Sequence, residues 1–235
     1  MAISTQYFYL DGEDSRDRGI YLGGPVQIGG AQPIVDTVNV PGRNGELVIY
    51  DGGYRNVKFQ VECFIHGRTV GTDLSDVIRW AVKPGYRRLE FPWEDGYRMG
   101  YITTGPETEA RAKILRPFEL EFSCKPQVFT YEGERVIKMT EGGSLYNQWM
   151  PSLPKITVYG SGAGSLTVGN VTVTLKDIDE YITLDSDMQD AFRGTSNKNN
   201  TITAPEFPVL QTGDNTISWS GGVTSVEILP RWWHL

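Results

Sequence analysis

Cysteine, histidine and net positive charge are all scarce in this 235-residue sequence. Two Cys and two His are too few for a disulfide framework, and their positions give no pattern of zinc ligands. The 22 Lys and Arg are outnumbered by 29 Asp and Glu, so the formal net charge is −7. Proteins that bind nucleic acid concentrate basic residues, and this sequence has no run of them. The composition excludes a disulfide-rich scaffold and disfavours specific binding of nucleic acid.

Long apolar stretches are also missing. No segment approaches the roughly 18 apolar residues of a transmembrane helix, and the N-terminus lacks the basic and apolar regions of a signal peptide. We therefore expect no membrane insertion, and synthesis in a cytoplasm. Cys63 and Cys124 both lie on the apolar side of alternating segments, so we predict free buried thiols there. A disulfide between them is the less favoured alternative.

The glycine-rich stretch at residues 39–56, NVPGRNGELVIYDGGYRN, does not match a nucleotide-binding loop. A phosphate-binding loop ends in Lys-Ser/Thr and is followed by a helix, whereas ELVIY is typical of a strand. Pro41-Gly42, Asn44-Gly45 and Asp51-Gly52-Gly53 are turn sequences. We therefore predict two turns that close a hairpin around Leu47–Tyr50.

Carboxylates are the remaining candidates for chemistry. The acidic run at 177–190 lacks the glycine and the final glutamate of an EF-hand loop, and no G-x-S-x-G sequence marks a serine hydrolase. A glycosidase needs only two facing carboxylates, for which Glu90, Glu94 and Asp95 beside Trp93 are candidates. Because any acidic protein offers such pairs, we predict no catalytic, cofactor-binding or metal-binding residues.

The dominant apolar period along the chain is two. Segments such as Val57–Ile65, Phe118–Cys124 and Val171–Leu175 alternate apolar and polar residues, as half-buried antiparallel strands do. Glycine and proline, with 27 and 13 residues, supply the many turns that such strands need. The pattern predicts an all-β fold with mainly antiparallel strands.

Two segments have helical spacing instead. Residues 73–83 place apolar side chains on one helical face, with Asp73 as N-cap and Pro84-Gly85 as the stop. A weaker helical pattern covers 187–193. We predict one short helix at the first segment and regard the second as a weaker candidate.

A connection between two β-domains is indicated at residues 141–154, which contain two Gly and two Pro and show no clear period. We therefore predict an N-terminal β-rich domain over residues 1–140 and a C-terminal β-domain over residues 141–235.

Tryptophan raises a hypothesis of carbohydrate binding, because flat rings stack on sugar faces. Trp219 lies in an alternating strand and is predicted first to be a core residue. Trp232 and Trp233 are adjacent, so they point to opposite faces of a strand and one ring should leave the core. These three residues are candidates for docking a carbohydrate or a protein.

Six segments, in order and spacing over nearly the whole chain, together resemble the distal tail protein (Dit) family of siphovirus-type bacteriophages. Each segment alone is a turn followed by a strand. The segments are VPGRNGELVIYDGGYRN at 40–56, LEFPWEDGYR at 89–98, FELEFSCKPQVF at 118–129, ITLDSDMQD at 182–190, FPVLQTGDNTI at 207–217 and VEILPRWW at 226–233.

The resemblance implies an N-terminal domain that closes into a hexameric ring and a C-terminal β-sandwich of galectin-like or carbohydrate-binding-module-like shape. Such a ring is a structural virion component at the tail tip, where it joins the tail tube protein to the tail-associated tip protein and serves host adsorption. A receptor-binding protein is a further implied partner. DNA passes through the lumen without specific binding, and no catalysis is implied.

The resemblance also gives the glycine-rich hairpin a role. We expect Arg43, Asn44, Tyr50 and Tyr54 to contact a neighbouring subunit of the ring. At 235 residues the chain has no room for the inserted sugar-binding modules of longer relatives, so its C-terminal domain is expected to be a docking platform. The alternative function is a carbohydrate-binding β-sandwich protein that recognises host cell-surface glycans.

Overall fold

The computed structural model describes residues 6–66, 74–104 and 115–235. It divides the chain into two compact units between Val128 and Phe129. The predicted boundary at residue 140 lies further along the chain. The difference arises because residues 137–139, assigned above to the first domain, form a strand that pairs within the C-terminal unit.

In its described residues, the N-terminal unit consists of an antiparallel sheet with strands of different lengths, a separate hairpin and one α-helix. The sheet has the strand order β2-β1-β8-β9-β10-β7-β3, and β4 also pairs with β7. The hairpin, β5 with β6, forms a two-stranded sheet of its own. The elements are β1 (Tyr9–Leu10), β2 (Glu13–Asp14), β3 (Ile20–Leu22), β4 (Gln27–Ile28), β5 (Pro33–Val38), β6 (Leu47–Tyr54), β7 (Val57–His66), α1 (Leu74–Ala81), β8 (Arg87–Glu90), β9 (Arg98–Thr104) and β10 (Leu115–Cys124).

Strand alternation builds the core of this unit. Along β7 the odd-numbered residues from Val57 to Ile65 are buried, as the period of two predicted. The helix covers this core with Val77, Trp80 and Ala81. None of the helices in the described parts of the chain is long and apolar enough to cross a membrane.

The predicted helix is confirmed over Leu74–Ala81, while its predicted N-cap, Asp73, lies outside the described residues. The buried Arg87 side chain closes the helix C-terminus, because its Nη1 donates hydrogen bonds to the carbonyl oxygens of Trp80 and Ala81 at 2.7 and 3.0 Å. A cation at this position also interacts favourably with the helix dipole.

The two cysteines are free and buried, as predicted. Cys63 lies opposite Phe118 in the β7–β10 ladder, and Cys124 lies opposite Val57. The thiols are therefore six ladder positions apart, on the order of 20 Å at about 3.4 Å per residue. This separation excludes the disulfide that was the alternative.

The C-terminal unit is an antiparallel sheet built on three long strands. Its strand order is β12-β19-β14-β15-β16-β17, with β13 also on β19 and β18 also on β15. The elements that follow β10 are β11 (Val128–Phe129), β12 (Ile137–Met139), β13 (Gly143–Asn147), β14 (Lys155–Val168), β15 (Val171–Asp185), β16 (Asp190–Arg193), β17 (Ser196–Asn197), β18 (Ile202–Thr203), β19 (Gly213–Leu229) and β20 (Trp233–His234), which pairs with β11.

The long strands fold the sheet over on itself. β12 and β16 pair with one half of the three-stranded group, and β13 and β18 pair with the other half. Ile156 and Leu166, from opposite halves of β14, belong to one buried cluster. The two halves therefore face each other across a shared core, in the manner of a sandwich.

Glycines occupy the region where β14 and β19 bend as the sheet folds over, around Gly160 and Gly222, which we call the fold line. A Cβ at Gly222 would lie 1.8 Å from the carbonyl oxygen of Ser161, and a Cβ at Gly160 would lie 2.1 Å from that of Gly222. Both distances are far below van der Waals contact, so only glycine allows the backbones of β14 and β19 to approach here.

The weaker helix prediction at 187–193 is wrong. Asp185 Oδ1 accepts the backbone N–H groups of Asp187 and Met188 at 3.1 and 3.3 Å, which forms a turn. The chain then continues as β16, where Ala191 is buried opposite Leu184. Local side-chain capping and strand pairing override the helical spacing in this segment.

Candidate interaction surfaces

The β5–β6 hairpin exposes a group of large apolar side chains. Six large apolar residues on it are between 36% and 59% exposed. The six are Val38, Val40, Leu47, Val48, Ile49 and Tyr50. Exposed apolar surface concentrated on one element makes that element a candidate interaction site.

The hairpin differs in one detail from its prediction. The turn at 41–45 is present, with Gly42 and Gly45 at positive φ. The Asp51-Gly52-Gly53 sequence is not a turn, however, because β6 runs through it to Tyr54. The register shifts here between Pro33 and Val35, and Gly52 has a φ of +85°. The glycines thus form a bulge within the strand instead of a second turn.

The four residues predicted at a subunit interface fall in two places on this hairpin. Arg43 and Asn44 lie exposed at its tip. Tyr50 and Tyr54 lie on β6 with their rings edge to face and their centroids 6.1 Å apart. A hydrogen bond between the two hydroxyls raises the pKa of Tyr50. All four are on one element, and their contact with a neighbour stays a prediction.

The three candidate tryptophans of the C-terminal unit are largely engaged within the unit. Trp219 is half-buried and packs against the core. Trp232 is only 6% exposed, and the half-buried Trp233 donates its indole N–H to the carbonyl oxygen of Pro151 at 3.0 Å. A sugar would find no open ring face on Trp232, so burial weakens the case for that residue as a stacking platform.

A partly buried ion pair near the C-terminus was not apparent in the sequence. The Arg231 guanidinium binds both carboxylate oxygens of Asp185 at 2.6 and 2.8 Å, from a backbone with φ of +54°. Burial by itself raises the pKa of Asp185, but the hydrogen bonds and charge of Arg231 outweigh it and hold that pKa below its usual value. This pair, which we call the C-terminal clasp, fixes the last strand connection to the end of β15.

The carboxylates considered for glycoside hydrolysis are mostly held by arginines. Glu94 pairs with Arg98 at 3.1 Å and Glu90 pairs with Arg88 at 2.7 Å, while Asp95 is exposed. Within residues 6–66, 74–104 and 115–235, no group of three His, Cys, Asp or Glu side chains is placed to hold a metal ion.

A pocket of about 450 Å³ opens in the C-terminal unit beside the β14–β15 turn. Val171 and Val209 contribute apolar lining, and Glu206, Gln211 and Asp214 contribute polar groups. Its volume is within the range of small-ligand sites. No candidate tryptophan is among the residues that line it.

Comparison with known proteins shows which solved structures share this fold. No family model matches the sequence, and no curated protein matches it. The structure, however, superposes on the Dit protein (gp 19.1) of phage SPP1, a hub of the adsorption apparatus in phages that infect Gram-positive bacteria, with a TM-score of 0.66. The match covers 98% of this chain and 99% of that chain, at 10% sequence identity. The chain has a Dit-like fold.

A second match supports the same assignment of fold. A chain of the phage p2 baseplate in its activated conformation matches the Dit-like fold with a TM-score of 0.54 and 10% identity, over 96% of this chain and 98% of that one. The expected all-β fold with one short helix is confirmed, and the Dit resemblance noted in the sequence is confirmed at the level of fold.

Proposed function

We propose that this protein is a structural hub of a bacteriophage tail tip, in which copies of the chain form a hexameric ring. The observation that carries the proposal is the match to the SPP1 Dit hub over 98% of the chain. The ring would join the tail tube protein to the tail-associated tip protein and support host adsorption, with a receptor-binding protein as a further partner. DNA would pass through its lumen without specific binding, which suits the net charge of −7.

The proposal assigns the exposed hairpin to the ring contact. A ring needs a head-to-tail interface made of two different patches. The hairpin supplies one such patch, with Arg43 and Asn44 at its tip and Tyr50 and Tyr54 on β6 against a neighbouring subunit. The C-terminal unit would serve as a docking platform for other tail proteins, and the protein would have no enzymatic activity. Its location would be the virion, after synthesis in the bacterial cytoplasm.

Mass and shape of the assembled protein test this proposal. Native mass spectrometry and negative-stain imaging of the full chain, alone and mixed with the tail tube and tip proteins, should show a six-membered ring. Tyr50→Ala should weaken it, whereas Met188→Ala, at a side chain that is 67% exposed in the C-terminal unit, should not. A chain that stays monomeric and binds neither tail protein would refute the hub function.

The 450 Å³ pocket is the observation that favours a second candidate function, binding of a cell-surface glycan. Its valines suit the apolar face of a sugar ring, and its acidic and amide groups suit hydroxyls. Glycan-array binding that is lost in Glu206→Gln and retained in Asp177→Asn, an exposed acid outside the pocket, would support it. No binding to any glycan would remove it.

A further inference from the structure

The β5–β6 hairpin exposes apolar side chains on both of its faces. Residues directly opposite each other in an antiparallel pair share a face. Val38 opposite Leu47, together with Ile49, forms the first face, and Val48 with Tyr50 opposite Val35 forms the second. A ribbon that covers a core or lies on a surface normally has one polar face. Both faces of this ribbon carry large apolar side chains, so neither is a polar face.

The exposed area indicates how many faces a stable contact requires. At roughly 150–200 Å² per large side chain, exposed fractions of 36–59% leave on the order of 500 Å² of apolar surface on the six residues. A standard interface buries about 800 Å² per partner, of which somewhat more than half is apolar. Both faces together reach this apolar share, whereas either face alone supplies about half of it.

The hairpin also lacks support of its own. A two-stranded hairpin is at best marginally stable in water, and β5 and β6 form a sheet separate from the main sheet of their unit. Burial on both faces would supply the missing layers. Burial on one face would leave about 250 Å² of aliphatic and aromatic surface in water.

We propose, resting on the proposed function, that one neighbouring copy of this chain encloses the hairpin on both faces, so that the hairpin forms the middle layer of the contact. The same unit offers apolar surface that could receive it. Ile78 lies on the helix and Val82 directly after it, while Tyr86 precedes β8 and Tyr101 lies on β9; each is between 36% and 41% exposed. Tyr86 and Tyr101 pack edge to face at 5.3 Å, which forms a rigid aromatic patch.

Variants of one face at a time test the inference. The first-face variant is Leu47→Ser/Ile49→Ser and the second-face variant is Val48→Ser/Tyr50→Ser. The control is Val136→Ser/Met188→Ser, which removes two apolar side chains that are at least half exposed from the C-terminal unit. The concentration at half-assembly is measured by analytical ultracentrifugation of the full chain, and circular dichroism checks that each variant is folded. Each face variant should raise that concentration roughly 100-fold, and the control should leave it unchanged.

A labelling experiment gives an independent readout. Cys63 and Cys124 are buried, so a thiol introduced as Val48→Cys or Ile49→Cys is the reactive one. If both faces are enclosed, the rate of modification at each position falls about tenfold or more on assembly.

The outcomes separate the inference from the hub proposal. Assembly that depends on one face only, or one thiol that stays fully reactive in the assembled protein, would overturn two-sided enclosure and leave the ring intact. A wild-type chain that never assembles would overturn both. Loss of assembly in both face variants, with a control that assembles normally, supports the inference.

Discussion

The substitution Gly222→Ala should destabilise the C-terminal unit more than the addition of one methyl group suggests. The added Cβ would lie 1.8 Å from the Ser161 carbonyl oxygen and 3.2 Å from that of Ala163. Both atoms are backbone, so no flexible side chain can move aside. β14 and β19 must therefore separate by about 1.5 Å to restore ordinary contact near 3.4 Å.

The cost follows from what that separation disrupts. The ladder pairs Gly160 with Val223 and Gly164 with Gly221 on either side of the site. Losing two or three backbone hydrogen bonds at about 1 kcal/mol each, and loosening the core around the buried Val223, gives roughly 3–5 kcal/mol. For a unit of this size, such a loss lowers Tm by roughly 15–30 °C.

Two other glycines provide a graded comparison. Gly169→Ala adds a Cβ with nothing within 4 Å, so it costs only the strain of its φ of +56°, about 1–2 kcal/mol. Gly164→Ala meets the Ser220 carbonyl oxygen at 2.8 Å and should be intermediate. Differential scanning calorimetry or hydrogen exchange within β14 and β19 measures the series. A Gly222→Ala protein as stable as Gly169→Ala would refute the account of the fold line.

Two further predictions concern buried polar groups. Asp185→Asn should lower the stability of the C-terminal unit by about 2 kcal/mol at neutral pH, because Arg231 keeps some solvent contact but loses its paired charge. The pKa of Asp185 is lowered in the folded state, so the clasp stabilises the unit above the ordinary Asp pKa and loses that effect as pH falls through the folded pKa. The difference in unfolding free energy between the wild type and Asp185→Asn should therefore shrink as pH falls. A difference that stays constant between pH 7 and pH 2 would contradict this. Burial raises the pKa of Cys124 to about 12 and also raises that of Cys63, so intact-mass analysis after thiol labelling at pH 8 should show neither modified in the native protein and both modified in denaturant; labelling of the native protein would contradict their burial.

Strand alternation was the most informative feature of the sequence. Val57–Ile65 and Phe118–Cys124 alternate because each strand has one face on a core, and both lie in the long β10–β7 pair of the N-terminal sheet. The short helix could be predicted for the same reason, since its apolar spacing and the Pro84-Gly85 stop agree. Local pattern and tertiary packing point to the same structure at these positions.

Features that depend on distant partners could not be predicted. The clasp joins Asp185 and Arg231 across 46 residues, and nothing local to either residue indicates the other. The glycines of the fold line resembled ordinary turn residues, because their close contact is with a different strand. At 187–193, the Asp185 turn decides the structure against helical spacing. The bulge at Gly52 likewise depends on pairing with β5.

The hairpin shows both effects on one element. Its turn at 41–45 was predictable from Pro41-Gly42 and Asn44-Gly45, which require the positive φ that glycine supplies. Its exposure was not, because Leu47–Tyr50 has the composition of a buried strand. An apolar strand that stays exposed in the isolated chain points to burial in an assembly.

The mass of the assembled protein tests the hub proposal most directly. Six copies of the 26.3 kDa chain make a particle of about 158 kDa, and native mass spectrometry with electron microscopy of the full chain should show that mass as a closed ring with the hairpins at its subunit contacts. A single species of 26.3 kDa at every concentration, with tail tube and tip proteins present, would contradict it.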